Sequence, residues 1–506
     1  MIKSFLRRLL RVKKLSWFER HFIGVIIGAA LVAMVISLAI GLAQSVWFDE
    51  AYSILVAKQP LGNLLYLTSV DTHPPLYYLL LKGWASIFGW SELALRSLSV
   101  LAMGGAVVFG GLLVRRTFGT KLALTTLPFV VLSPMLLRYG FELRPYALAS
   151  LIGIAATYLL IMALESKTTR TKWLLFGVYS LLVALGMYTL YYTALLWLAH
   201  LVWLVWLNRR GDRRPLIRAP WMGAFMVSVV LFLPWLPTFI GQISNGALAP
   251  ISQPMTLDNL IGIVSFSFVY QPVWQLSPLL SLVIVFVLMG LSYFSIRSFK
   301  LVGKAQRPYL LLLALYVLVP VMVLTLVSLV RPMYVERYLS HILIGGSLFV
   351  GVAVAIVTQR SKIVVKAVAG LMLIILIVGV GRLAQVGNYN FQRLQKPTVG
   401  AVADILKPCD ESTTILAADP YVAIELSYYL PNCQIHYYSP YDKLGGGYAP
   451  LSGSPLRVSQ SRQQLSATRP LYYVHYGETQ LEMPLGLRES SRLQFDALTV
   501  SRFSVE

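Results

Sequence analysis

Charge is scarce in this chain. Asp, Glu, Lys and Arg make up 13% of its 506 residues, where soluble chains carry about 25%. Acids are scarcer still, with 21 against 43 basic residues. A chain this poor in charge and 57% hydrophobic does not fold as a water-soluble globule, and the composition implies a polytopic membrane protein. Cysteine is nearly absent, with two residues, Cys409 and Cys433. A disulfide-rich scaffold is thereby excluded, as are CxxC zinc or redox sites. No GxGxxG, Walker loop, HExxH or GxSxG occurs, so the familiar nucleotide, zinc-protease and serine-hydrolase signatures are missing. No internal repeat is visible, which weighs against an inverted-repeat transporter.

The net charge of +22 would suggest nucleic acid in a soluble protein. Here Lys and Arg gather in short loops between apolar runs, where they act as orientation signals, and no nucleic-acid partner is expected. Residues 1–21 form a basic, amphipathic segment expected on the cytoplasmic face. The run Phe22–Ala43 is long enough to span as a retained signal-anchor. Ten more apolar runs follow, at about 93–114, 122–137, 145–164, 173–189, 192–207, 221–240, 278–296, 309–329, 338–357 and 363–380. The expectation is an α-helical membrane domain over 22–385 with about eleven spans. The less regular stretch 241–277 could dip into the membrane near Ile261–Val269.

Every second loop is basic. The positive-inside rule then puts the N-terminus in the cytoplasm and the long loop 44–92 outside, in a plasma or inner membrane. An odd number of spans leaves residues 386–506 outside as well. There TTILAAD and PLYYVHY read as strands, as does QIHYYS. Asp419–Pro420 reads as a cap opening a helix over 421–430, and RVSQSRQQL as a second helix. The expectation is a small extracytoplasmic α/β domain. Both cysteines fall in it, and a disulfide and two free thiols are both open.

The polar groups outside the basic loops gather on the external side: Asp49, Glu50, Asp71, His73, Glu92, Arg96, Arg138, Glu142, Arg144, Arg331, Glu336, Arg337 and His341. A charge at membrane depth costs at least ~2.5–3.5 kcal/mol, so such a gathering implies a wet cavity or mutual pairing. Glu142/Arg144 and Glu336/Arg337 could be internal ion pairs. Carboxylates can take a proton from a hydroxyl. Arginines and an imidazole can hold a phosphate. Together, amid Tyr and Trp at a membrane face, they suit a substrate with an anionic head and a lipid tail.

In order along the chain stand WFDEAY, DTHPPLYYLLLKGW, FELRPYAL, GMYTLYYTALL, LPWLP and RPMYVERYL. This ordered set resembles the bacterial relatives of protein O-mannosyltransferases and of the aminoarabinose-lipid transferase, which are GT-C glycosyltransferases. The resemblance covers about Phe22–Val380. It implies transfer of a sugar from a polyprenyl-phosphate-linked donor to an acceptor hydroxyl outside the membrane, with inversion. The acceptor class (protein, lipid or glycan) and the sugar are open. Asp49 matches the family's catalytic base, with Glu50 supporting it. Donor-phosphate and substrate contacts are implied at His73, Arg138, Glu142, Arg144, Tyr146, Tyr191, Arg337 and Tyr338. No protein metal site is expected, although a divalent metal stays open. The chain departs from its relatives at Leu190, where a His is common, and at Ala51–Tyr52, where some carry Arg. Arg138 is the residue that could supply a missing phosphate contact. The alternative is a transporter or flippase for a lipid-linked or anionic solute. That reading places ionisable groups near mid-span, whereas here they lie at span ends.

Overall fold

The computed structural model describes residues 17–505 apart from 211–214, 216–218, 245–253, 391–392, 396–397, 408, 410–413, 460–468, 478–480, 482 and 484–485. Most of the basic segment 1–21 lies outside the described residues.

The membrane part begins with α1 (Phe22–Leu42), and three shorter helices follow, α2 (Phe48–Lys58), α3 (Leu61–Val70) and α4 (Leu76–Phe88). Then come α5 (Glu92–Phe118), α6 (Thr120–Val131), α7 (Pro134–Phe141), α8 (Tyr146–Glu165), α9 (Thr169–Thr189) and α10 (Thr193–Arg210). α11 (Pro220–Phe232) continues through a 3-10 turn at Leu233–Trp235 into α12 (Leu236–Ser244). α13 (Leu257–Val269), α14 (Pro278–Leu301) and α15 (Arg307–Ser328) precede a 3-10 turn, Glu336–Ile342, that runs into α16 (Leu343–Thr358). α17 (Ile363–Val386) completes the bundle.

Local chemistry sets the helix starts. Ser91, Thr168 and Ser277 cap α5, α9 and α14 by accepting from Ala94 N, Thr171 N and Leu280 N. Pro134 and Pro278 sit in first turns, where a missing N–H costs nothing. α6 and α7 form one span bent by 65°. Among the described residues, nine helices are long and apolar enough to cross a membrane, and the bent pair makes a tenth. α10 has 18 residues, but Asn208, Arg209 and Arg210 end it and dilute its apolarity. Counting it gives the eleven spans expected from the sequence. α13 is not a span. At about 1.5 Å per residue its 13 residues reach about 20 Å, short of a bilayer core. It packs against α17 where Gly379 lets the Phe268 carbonyl approach; a Cβ at Gly379 would collide with that backbone.

The two ends of the bundle differ. At one end the basic loops meet: Arg116 pairs with Glu165 at 2.8 Å, and Tyr309 OH donates to the same carboxylate at 2.6 Å. At the other lie α2–α4, the 142–145 turn and the Glu336–Ile342 turn.

The C-terminal part holds α18 (Thr398–Leu406), β1 (Thr414–Ala417), α19 (Pro420–Tyr429), β2 (Ile435–Tyr438), β3 (Arg457–Val458), β4 (Leu471–Tyr476), β5 (Leu487–Phe495) and β6 (Leu498–Val505). The sheet order is β3-β2-β1-β4-β6-β5, parallel from β3 to β4 and antiparallel beyond. Asp419 caps α19 by accepting from Val422 N at 2.9 Å, with Pro420 in the first turn, as the sequence implied. α18 and α19 cover one face, packing on Ile415, Ala417, Tyr437 and Val474. One expectation is corrected: Arg457–Val458 is a strand paired with β2 and not the start of a helix, and residues 460–468 lie outside the described residues. Cys409 and Cys433 are joined in a disulfide, with Cα atoms 5.7 Å apart.

Candidate active site

The site is assembled at the end of the bundle opposite the basic loops. α2 supplies the acids. Asp49 and Glu50 are adjacent in its first turn, so they point about 100° apart around the helix. That divergence separates their surroundings. Glu50 turns into the bundle, where Arg96 Nη2 and Nε donate to its two oxygens at 2.7 and 3.1 Å. Leu143 N donates to Glu50 Oε1 as well, at 3.1 Å. Arg96 is fully buried and also donates to the carbonyls of Gly41 and Gln44 and to Glu92 Oε2.

Asp49 turns the other way, toward two guanidinium groups. Its Oδ2 lies 3.7 Å from Arg144 Nε and 3.6 Å from Arg337 Nη2. These are ion-pair distances, longer than hydrogen bonds. Arg144 is fixed by its other nitrogens: Nη1 donates to Tyr78 OH at 3.1 Å, and Nη2 to His73 Nδ1 at 3.0 Å. The bond from Leu143 N to Glu50 sets the backbone beside Arg144, so the inner acid helps aim the arginine that faces the outer one.

The aromatic side chains close the site. The His73 ring meets those of Tyr338 and Tyr146 edge-on, with centroids 5.5 and 6.3 Å away, and Tyr338 packs on Tyr192 at 4.9 Å. Asp71 Oδ2 lies 3.7 Å from His73 Nδ1. Asp49 Oδ2, Asp71 Oδ2, Arg144 Nε and Tyr146 OH are buried yet make no hydrogen bond to another described residue. Buried polar atoms are usually satisfied, so unspent capacity gathered in one place is the property of a binding site rather than of a core.

The structure thus brings together Asp49, His73, Arg144, Tyr146, Arg337 and Tyr338. It separates the others. Arg138 and Glu142 form a buried ion pair with each other. Arg144 is engaged with Asp49, Tyr78 and His73 rather than with Glu142. Tyr191 OH donates to Gln242 Oε1 at 2.6 Å and accepts from Trp235 Nε1 at 2.7 Å. Gln242 Nε2 in turn donates to the carbonyls of Thr68 and Asp71 at 3.0 and 2.6 Å, holding the turn that leads to His73. Sequence reasoning did not assign site roles to Arg96, Tyr78 or Gln242. A charge in the first turns of a long apolar helix was the available signal for Arg96. Among the described residues no group of three or more His, Cys, Asp or Glu side chains is placed to hold a metal.

Residues 72–237 match the family model described as dolichyl-phosphate-mannose-protein mannosyltransferase. No curated protein sequence matches significantly. Among solved structures, ArnT from Cupriavidus metallidurans bound to undecaprenyl phosphate matches with a TM-score of 0.61. The identity is 14%, covering 95% of this chain and 98% of that one. The apo form of that protein gives 0.59 at 13% identity, with the same coverage. The archaeal oligosaccharyltransferase AglB from Archaeoglobus fulgidus, in complex with an inhibitory peptide and a dolichol-phosphate, gives 0.52 at 12% identity. That match covers 91% of this chain and 70% of the other. At such identities the likeness is one of fold. Family match and fold together bear out the GT-C resemblance carried by the ordered motifs.

His73 gives the site a pH signature. Burial, then the neighbouring Arg144, lowers its pKa from 6.5 to about 4, against the opposing pull of Asp71 and Asp49. The unfolded chain therefore takes up a proton near pH 6.5 that the folded chain refuses until about 4. Stability falls as pH drops through 6.5, and this contribution stops growing below 4. From pH 7.5 to 5.5 the wild type should lose about 1 kcal/mol more than His73→Gln. Denaturant melts in detergent measure it, and equal losses would show that His73 titrates in the fold as it does in the unfolded chain.

Proposed function

We propose that the chain is a membrane glycosyltransferase. It takes a sugar from a polyprenyl-phosphate-linked donor and passes it to a hydroxyl on a protein, lipid or glycan acceptor. The observation that carries this reading is Asp49, a buried carboxylate set between the buried Arg144 and the part-buried Arg337 at one end of a GT-C bundle. In the mechanism we assign, Arg144 and Arg337 hold the donor phosphate, with His73, Tyr146 and Tyr338 around it. The acceptor oxygen attacks C1 from the side opposite the phosphate, and the configuration inverts. As the new O–C1 bond forms, the bond from C1 to the phosphate oxygen breaks. The acceptor proton passes to Asp49. Polyprenyl phosphate leaves as a stable anion, so no second carboxylate is required as acid, unlike in glycoside hydrolysis.

The same arginines serve both anions. Before donor binds they pair with Asp49, and a donor phosphate would compete with that carboxylate for them. Glu50 is a positioning residue in this scheme, since both its oxygens are already engaged. Arg138–Glu142 and Tyr191 support the walls. The lipid tail has a candidate place in an apolar cavity of about 210 Å³ at the end of the turn that carries Arg337. Ile263, Phe268, Leu343, Phe349 and Leu376 are among its lining residues. That ArnT was solved with undecaprenyl phosphate, and AglB with a dolichol-phosphate, supports the lipid-linked donor.

Asp49→Asn keeps the size and polarity of the side chain but cannot take the proton. Turnover should fall by about 10²–10⁴-fold while donor still binds. Near-normal turnover would move the base to Asp71, because Glu50 is committed to Arg96. Arg337→Lys keeps the charge but loses the fork, so donor should bind about tenfold or more weakly. Wild-type affinity in lysine variants at both 144 and 337 would make these arginines structural. For orientation we infer that the basic-loop end is cytoplasmic, which places the site and the sheet outside. A C-terminal alkaline phosphatase fusion should be active and a green fluorescent protein fusion dark; the reverse pattern overturns the orientation.

A further inference from the structure

We propose that helix α19 of the C-terminal sheet region is part of the transfer site. Its Glu425 caps α2 and thereby positions Asp49. This inference rests on the assignment of Asp49 as base.

α2 begins without a cap of its own. Trp47 occupies the cap position with extended backbone, and its side chain makes no capping bond. The first N–H groups of a helix have no partner within the helix, and a Ser, Thr, Asp or Asn side chain usually meets one of them. Here the acceptor comes from elsewhere. Phe48 N donates to Glu425 Oε1 at 3.1 Å. The other oxygen, Oε2, accepts from Tyr476 OH at 2.8 Å. Glu425 is 1% exposed, and each of its oxygens meets a donor. A buried carboxylate satisfied in this way suits the positive end of a helix.

A second bond reinforces the first. Tyr429 lies one turn along the same face of α19. Its hydroxyl accepts from Val46 N at 2.7 Å and donates to Glu92 Oε1 at 2.8 Å. The Phe48 ring stacks on Tyr421 with centroids 4.5 Å apart and planes 5° from parallel. The residues on both sides of Trp47 are thus held by α19. Asp49 is the next residue after the capped amide. Its carboxylate sits 3.6–3.7 Å from two arginines, so a small drift of the first turn changes which of them it meets. Glu425 acts through Phe48 and touches no reacting atom, which makes it a positioning residue.

The test uses the full chain in detergent, with hydrogen exchange read by mass spectrometry over 46–58 and, as control, over 471–476. Glu425→Ala should raise exchange at 46–53 about tenfold, the fold-change of a lost cap, and leave the control strand protected. Affinity for undecaprenyl phosphate should stay within about threefold, because Arg144 and Arg337 remain. In cells whose only copy is the alanine variant, a polyprenyl-phosphate-linked sugar should accumulate. Glu425→Gln keeps an oxygen for Phe48 N and should restore both native exchange and the wild-type lipid profile. Tyr429→Phe retains the ring and removes only the hydroxyl, so it gives the same exchange readout if the alanine variant misfolds. Unchanged exchange at 46–53 in Glu425→Ala and Tyr429→Phe overturns the cap. Loosened exchange without lipid accumulation overturns the link to transfer. Failure of the base assignment is read separately, by cells carrying Asp49→Asn that accumulate nothing.

Discussion

Arg96 is the fixed point of this molecule. A guanidinium in the membrane part of a protein cannot shed its proton, so its desolvation must be offset by hydrogen bonds. Arg96 meets that demand with two bonds to Glu50, two to carbonyls at the end of α1 and one to Glu92 in its own helix. Those bonds join the C-terminal end of α1, the first turn of α2 and the first turns of α5. Removing one partner of such a buried pair typically costs about 3–5 kcal/mol, because the other charge is left alone. From Glu50 the constraint passes to Leu143 N, and so to the backbone that presents Arg144. Asp49 and the arginine facing it are therefore positioned by the same ion pair.

An adjacent acid pair in a helix divides labour in this way because neighbours cannot share a face. Glu50 has the longer side chain and reaches the arginine inside. Asp49, with one methylene fewer, stays close to the backbone and has less freedom to wander. The same division appears among the arginines: Arg138 pairs with Glu142 and Arg96 with Glu50, whereas Arg144 and Arg337 face Asp49 at 3.7 and 3.6 Å.

Much of this was legible in the sequence. Spans are legible because the bilayer demands long apolar runs, and the matching of expected and observed helices follows from that demand. The start of α19 was legible from Asp419–Pro420, since capping is a local interaction. Asp49, His73, Arg144 and Arg337 could be named from scarce charges at span ends together with a family resemblance. What stayed hidden is what depends on distant partners. Nothing in WFDEAY says that Glu50 will meet Arg96 or that Phe48 will meet Glu425. Tyr191 stands in a motif, yet its hydroxyl is spent on Gln242, a residue that its own segment does not announce. Arg457–Val458 looked helical because its neighbours are good helix formers, and pairing with β2 decided otherwise.

The pairing of Phe48 with Glu425 spans 377 positions of sequence. A ribosome adding roughly 5–20 residues per second needs about 20–75 s to travel that distance. For that interval α2 has been made while Glu425, the residue that meets its first amide, has not. On the role proposed for Glu425, competence for transfer belongs to the finished chain, and a product terminated before α19 lacks it. The Cys409–Cys433 bond encloses α19, so closure of that ring is a further step in the same timetable. On that same role, vectorial synthesis and closure of the Cys409–Cys433 ring together set a clock on when this bundle can begin to work.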